Sequence, residues 1–429
     1  MRRPTCAGRL LEGRRAVVAS PNSTAETAPN LPRPRVLWVG ESARLCTGFG
    51  RVADELTRGL AATGRYELGV LGWQAEPENG VGYTAFPAGR EPWSADRLNR
   101  VMEQFAPEMV VTSGPLAALA AMTHAPLRHF IYWIGHATFE AAPLVPEAAA
   151  TLGAMDQVVV PSAWCKRVAD EHVPAPGARL VRLGVDPEVF RPLPDRDAIR
   201  ERAGLAGRFV VGCVARSNFR KQIPLLVRAL GDLARDHPEA FLYLHTDPDE
   251  DWNLTEVVRR HGLSERTAFT RGVAGATGVD STTLNTIYNL FDVMVLPTMG
   301  EAFGLPILEA MAAGVPVIAT DCSAVPELLD GRGELVRVKE WITMPWDNAD
   351  YALLDVDDLV AKLRELYHDR DLRQQYAQGG RAFALTMTWD RCAAEWAALI
   401  DGAVSAHRAG GVPADPRFRA VSLDAVADR

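Results

Sequence analysis

Short runs of consecutive apolar residues recur along the chain, each about one strand long and each followed by a loop and a segment with helical spacing. The first is RVLWVG (35–40); a glycine-containing loop and the helical pattern RVADELTRGLAATG, closing on Gly64, come next. YELGVLGW follows, then MVVTS (109–113), HFIYWIG (129–135) and QVVVPS (157–162). Unbroken apolar strands separated by amphipathic helices predict a parallel α/β sheet with both faces covered. The rhythm stops at GVDPEVFRPLPDRD (184–197), where three prolines in a polar stretch read as a linker. A second series then begins, with strands expected at RFVVGCVA (208–215), AFLYLHT (240–246), TAFTRG (267–272), VMVLPT (293–298) and VPVIAT (315–320), and helices such as IPLLVRALGDLARDH between them. The pattern predicts two α/β domains facing across a cleft, and open α/β sheets bind ligands at the carboxyl ends of their strands.

Length and composition agree with two domains: 429 residues, 48% apolar and 23% charged. No run reaches the roughly 18 apolar residues of a membrane span; the most apolar windows, 107–122 and 313–320, are interrupted by Pro, Gly, Ser or Thr. A net charge of −8 argues against a nucleic-acid partner. The six cysteines have no C-x-x-C spacing, which predicts free thiols and a cytoplasmic location. Residues 1–33 have no apolar period and are expected to form a tail, as are residues 409–429; the first is Arg-rich and could give a weak peripheral membrane contact.

The densest chemical signal is GEAFGLPILEAMAAGVPVIATDCSAVPELL, from Gly300 to Leu329. Pro306 suits the first turn of a helix and Gly314 with Pro316 suits its end, so a helix should start near Leu305. The amides from Phe303 through Gly304 to Leu305 then form an anion site at a positive dipole end. Glu301 lies just before this terminus and Glu309 one turn beyond it, so two carboxylates able to accept hydrogen bonds from paired hydroxyls flank a phosphate site. The plainer reading makes Glu301 a loop carboxylate and Glu309 a solvated first-turn residue. Arg216 and Lys221 follow an expected strand and could neutralise a diphosphate, or simply be solvated. His136 follows HFIYWIG and is either a reaction-centre group or a histidine satisfying strand-end carbonyls. CTGFGRVADEL (46–56) places Gly48 and Gly50 where backbone can approach a phosphate or acceptor. With Ala53 they satisfy a weak dinucleotide fingerprint, although the loop is long for that motif. Asp247-Pro-Asp249 reads as a solvated strand end rather than a metal site. The tryptophans, among them Trp38, Trp73, Trp93, Trp133 and Trp164, read as core and interface in preference to stacking faces.

VARSNFRKQIPLL, LNTIYNLFDVMVLPTMGEAFGLPILEAMAAGVPVIATD and RLGVDPEVFRP resemble the retaining glycosyltransferases of family four, closely over 180–335 and more loosely over 35–180. The glutamate pair and the Arg216 to Lys221 spacing both match. The resemblance implies the GT-B fold, two Rossmann-like domains: an acceptor-side domain over 34–190, a nucleotide-sugar domain over 191–386, and a helix over 387–408 crossing back. It implies Glu301 against the donor hexose, Glu309 on the ribose hydroxyls, Arg216 and Lys221 on the diphosphate, His136 near the transferred sugar, and the Gly48–Gly50 loop beside donor phosphate and acceptor. No metal or other cofactor is expected. The expected reaction moves a sugar from a UDP- or GDP-linked donor to an acceptor hydroxyl, small molecule or glycan, with retention; cell-envelope glycans and natural products are candidate products. A sugar phosphorylase, a sugar-nucleotide epimerase, an NAD-dependent dehydrogenase and a non-catalytic sugar-binding module remain alternatives. The segment 339–358 exceeds the usual connection, and its role is open, as are the acceptor and the oligomeric state.

Overall fold

A computed structural model describes residues 32–74, 82–273 and 278–409. The expected tails, and the thiol expected at Cys6, lie outside the described residues apart from the tails' inner ends. Two parallel sheets carry the chain. The first takes its strands in the order β3-β2-β1-β4-β5-β6-β7: β1 (Arg35–Glu41), β2 (Glu67–Trp73), β3 (Tyr83–Phe86), β4 (Met109–Pro115), β5 (Tyr132–Thr138), β6 (Gln157–Val160) and β7 (Arg179–Leu180). The second runs β10-β9-β8-β11-β12-β13: β8 (Phe209–Val214), β9 (Ala240–His245), β10 (Thr267–Phe269), β11 (Val293–Leu296), β12 (Val317–Thr320) and β13 (Glu334–Val336). Helices cover both faces, which is why β8 is buried at every position and Val36, Leu37 and Trp38 of β1 have no exposed surface.

Strand order reverses between β1 and β4 in one sheet and between β8 and β11 in the other, and the crevice at such a switch point is where open sheets hold ligands. The loop after β1 leads into the helix Gly48–Ala62, and the loops after β8 and β11 carry residues 215–222 and 297–304. All three open onto the same cleft between the domains. The last helix, Trp389–Ala409, returns to the first domain: the Trp396 ring meets Trp38 edge-on at 6.0 Å, Tyr66 donates to the Ala397 carbonyl (3.0 Å), and Arg408 pairs with Glu108 (2.8 Å).

Two expectations need correction, and a segment whose role was open takes a definite structure. The strand expected over 129–135 is displaced: Pro126 opens a short 3-10 turn through Phe130, whose ring is exposed, and β5 begins at Tyr132 and runs on through His136 to Thr138. His136 therefore lies inside the strand rather than just beyond it. The open segment 339–358 holds an antiparallel hairpin, β14 (Val338–Thr343) and β15 (Asp350–Leu354), followed by the start of a helix at Val356. The free-thiol expectation holds for Cys165, Cys213, Cys322 and Cys392 but fails at Cys46, which is disulfide-bonded.

Candidate functional site between the two domains

After β8 the chain makes one 3-10 turn, Phe219–Lys221, and Gln222 in the left-handed region (φ 42°) redirects it into the helix Ile223–Ala234, whose second residue is Pro224. This turn buries the Lys221 ammonium against the Glu301 carboxylate. Arg220 beside it reaches the same oxygen at 3.2 Å, bonds the Gly300 carbonyl, and pairs with Glu140 of the first domain at 3.4 Å. Burial pushes the Glu301 carboxyl up, but Lys221 and Arg220 outweigh it and hold it below the usual carboxylate range. Burial and the neighbouring Arg220 lower Lys221, with Glu301 opposing; Arg220 ends raised because Glu140 and Glu301 outweigh its desolvation. Two cations and two carboxylates thus form one charge-balanced cluster that joins the two domains.

The loop from β11 is fixed by its own bonds. Ser323 Oγ accepts from the Glu301 amide (2.7 Å), and Thr298 Oγ1 donates to the Gly300 carbonyl (2.9 Å). Gly304, at φ 99°, then turns into the helix Leu305–Ala312, starting where the proline placement predicts. No side chain caps this terminus, so the positive dipole end stays available to an anion. Glu309, one turn in, accepts from Tyr288 Oη at 2.8 Å and forms an ion pair with Arg51 from the first domain. Gly48 lies across the cleft from this helix, where an added Cβ would be 3.9 Å from Leu305 Cδ1. Glu301, Glu309, Lys221, Phe303, Gly304, Leu305 and Gly48 are therefore brought to one place.

The remaining expected residues are placed differently. Arg216 is largely solvent-exposed and pairs with Glu250, apart from the buried Lys221 cluster. Gly50 does not present its amide to the cleft: Thr47 Oγ1 (3.0 Å) and Glu41 Oε2 (3.1 Å) accept from it, and an added Cβ would run into the Leu45 carbonyl. Its smallness serves the turn, and burial raises the Glu41 carboxyl despite these bonds. His136 has no exposed surface: Nδ1 shares a hydrogen bond with Ser113 Oγ (2.9 Å), and its ring meets Trp396 edge-on at 5.5 Å. Asp251, next to the Asp247-Pro-Asp249 stretch, accepts from the Phe219 amide (2.8 Å) and so braces the Lys221 turn. Among the described residues no three His, Cys, Asp or Glu side chains converge as a metal site would require.

Sequence reasoning missed Arg51, Tyr288, Arg220 and Glu140. Arg51 and Arg220 stand next to residues that were singled out, Gly50 and Lys221, and that adjacency was the available signal. Glu140 and Tyr288 gave none, because their partners lie far off in sequence.

Gly300 shows how tightly the domains approach. A Cβ there would penetrate the Glu140 carbonyl of the facing domain, a backbone group that cannot swing away. Gly300→Ala is expected to push the loops apart, costing about 1–3 kcal/mol in urea unfolding and weakening the Arg220–Glu140 contact. An unchanged unfolding midpoint would mean that the facing loop is free to yield.

Residues 208–369 match the family model described as glycosyl transferases group 1. A GDP-mannose-dependent alpha-(1-6)-phosphatidylinositol monomannoside mannosyltransferase of Mycolicibacterium smegmatis is 30% identical over 338 residues, covering 74% of this chain and 83% of that protein. Sucrose-phosphate synthase from Thermosynechococcus elongatus superposes with a TM-score of 0.71 at 19% identity, over 87% of this chain and all (100%) of the other. Anabaena HepE, solved with UDP and glucose, gives 0.66 at 17% identity over 85% and 99% of the two chains.

Proposed function

We propose, from the premise that the chain belongs to the glycosyl transferases group 1 and is a nucleotide-sugar-dependent glycosyltransferase on a GT-B scaffold, that it moves a hexosyl group to an acceptor hydroxyl with retention of anomeric configuration. The observation that carries this reading is the buried Lys221–Glu301 pair beside the uncapped N-terminus of Leu305–Ala312, with Glu309 one turn further on. The donor diphosphate would lie at that terminus. Amides from Phe303 to Leu305 and the Lys221 ammonium then stabilise the charge that develops as the glycosidic bond breaks. Exposed Arg216 is able to swing from Glu250 onto the same phosphates. Glu309, held in place by Arg51 and Tyr288, offers its remaining lone pairs to the ribose diol, and Glu301 accepts from the sugar hydroxyls. The acceptor hydroxyl approaches on the leaving-group side, and a diphosphate oxygen takes its proton. His136, sealed beneath Trp396 on an interior strand, supports the sheet under the site instead of touching the sugar. These groups do the work without a metal ion.

The first test is a thermal-shift series with GDP, UDP and their sugars. The mannosyltransferase relative is described as GDP-mannose-dependent, so GDP-mannose is the leading donor. At a hundredfold excess over Kd, a ligand bound only by the native state adds about 2.7 kcal/mol. The expected result is a rise with one base, abolished in Glu309→Ala. A chain that melts identically with every nucleotide would overturn the donor site.

A further inference from the structure

Among the described residues the exposed large apolar side chains are Phe130, Phe219, Trp341, Trp346 and Leu385. Phe219 and Trp346 belong together. Phe219, 43% exposed, stacks nearly parallel on Trp252 (5.6 Å, 18°), and Trp346, 56% exposed, closes edge-on against Phe219 (6.0 Å, 79°). Behind them the Tyr351 ring meets Trp346 at 5.6 Å. Exposed aromatic rings cost free energy in water, and three held at fixed mutual angles form a platform rather than a scatter of surface residues.

Its location relates it to the transfer site. Phe219 opens the same 3-10 turn whose last residue, Lys221, is buried on Glu301, so about 4 Å of helical rise separates the ring's backbone from that of the cluster cation. Trp346 comes from the hairpin loop between β14 and β15, which is tied to both domains. Asp350 N–H donates to the Ala142 carbonyl of the first domain (2.9 Å) and Ala352 N–H to the Met299 carbonyl of the second (3.0 Å). Ala141, Met299, Met344, Ala349 and Tyr351 form a small apolar core beneath it. The hairpin therefore bridges the two domains beside the cleft.

The polar groups at the rim select the occupant. Asp347 accepts from Tyr351 Oη (2.6 Å), and Glu250 stands by the loop that carries Phe219, paired with Arg216. Aromatic faces carry negative potential and attract the weakly positive C–H face of a pyranose, while edge carboxylates accept its hydroxyls. We infer that Phe219, Trp252 and Trp346 form a saccharide subsite that seats the acceptor sugar beside the donor site, supplied by the second domain and its hairpin. This rests on the transferase reading above.

The experiment uses the full chain with GDP-mannose and UDP-glucose as donors and methyl α-mannoside, methyl α-glucoside and methyl β-galactoside as acceptor probes, following tryptophan fluorescence and transfer. Binding of at least one glycoside should change the fluorescence. Trp346→Ala and Phe219→Ala should raise that glycoside's KM at least tenfold, and Trp346→Phe should restore most of it. Each variant should keep the nucleotide-induced rise in melting temperature, which shows that it folds. The inference is overturned if no glycoside perturbs the fluorescence, if the alanine variants leave the acceptor KM within twofold, or if Trp346 instead governs binding to phosphatidylglycerol vesicles. Failure of the donor reading shows separately, as absence of any nucleotide-induced rise in the unaltered chain.

Discussion

Lys221→Met is expected to lower kcat/KM for transfer by about a hundred- to a thousandfold, the loss typical when one preorganised donor is removed from a developing negative charge. The same change should destabilise the chain. Glu301 is buried, and removing one partner of a buried ion pair leaves the other charge uncompensated, at a cost of about 3–5 kcal/mol. Arg220 still reaches the same carboxylate oxygen at 3.2 Å, so the lower end of that range applies. Separating the two effects needs the partner change. Glu301→Gln alone leaves Lys221 beside Arg220 with less to hold its proton, and burial already lowers that ammonium. In Lys221→Met/Glu301→Gln no unpaired charge from this pair stays buried, so most of the lost stability should return while activity stays low. Urea unfolding and steady-state kinetics on the three variants complete the cycle. A stable Lys221→Met protein that turns over within threefold of the parent would remove Lys221 from the chemistry and leave the pair a structural one.

That one pair shows where the sequence was legible. The apolar run before Lys221 became β8, the proline and glycine positions around 305–314 gave the helix terminus, and both follow from local rules of period and capping. Lys221 and Glu301 could each be picked out by residue type and loop position. Their direct contact could not, because it is made by β11 lying next to β8, a sheet neighbour relation that no local pattern encodes. The same holds for Arg51 on Glu309, which depends on how two domains face each other. Gly50 shows a related ambiguity. A glycine required by a tight approach to the Leu45 carbonyl looks identical in sequence to one required by a ligand. The segment 339–358 stood out as surplus length, yet its alternation is weak: β14 is exposed at four of its six positions and buries nothing that would mark a strand.

His136 carries the second large effect, and it concerns acid stability. Burial alone pushes its imidazole down to about 4 from an ordinary value of 6.5. Between those values the unfolded chain binds the proton and the folded chain does not. Stability from this group is therefore fully present above pH 6.5 and is lost progressively as pH falls to about 4. A shift of that size corresponds to about 3 kcal/mol over the window. His245, bonded to Thr270 Oγ1 at 3.0 Å, is likewise pushed down to about 4 by burial, reinforced by Arg51, and acts with the same sign. Glu55 acts oppositely: burial raises it to about 7, so it favours the folded chain as pH falls from 7 toward 4.5. Glu301, held below the usual range, loses its contribution only at lower pH. The parent's slope mixes all of these, and the difference between parent and His136→Gln isolates one. On lowering the pH from 6.5 to 4, His136→Gln should gain about 3 kcal/mol relative to the parent in urea unfolding, whatever its stability at pH 7. A difference that stays flat across that interval would show that the imidazole is reached by water and protonates in the folded chain. A loss of kcat that tracks a group titrating near pH 6.5 would then return His136 to the reaction centre, where the resemblance alone had put it.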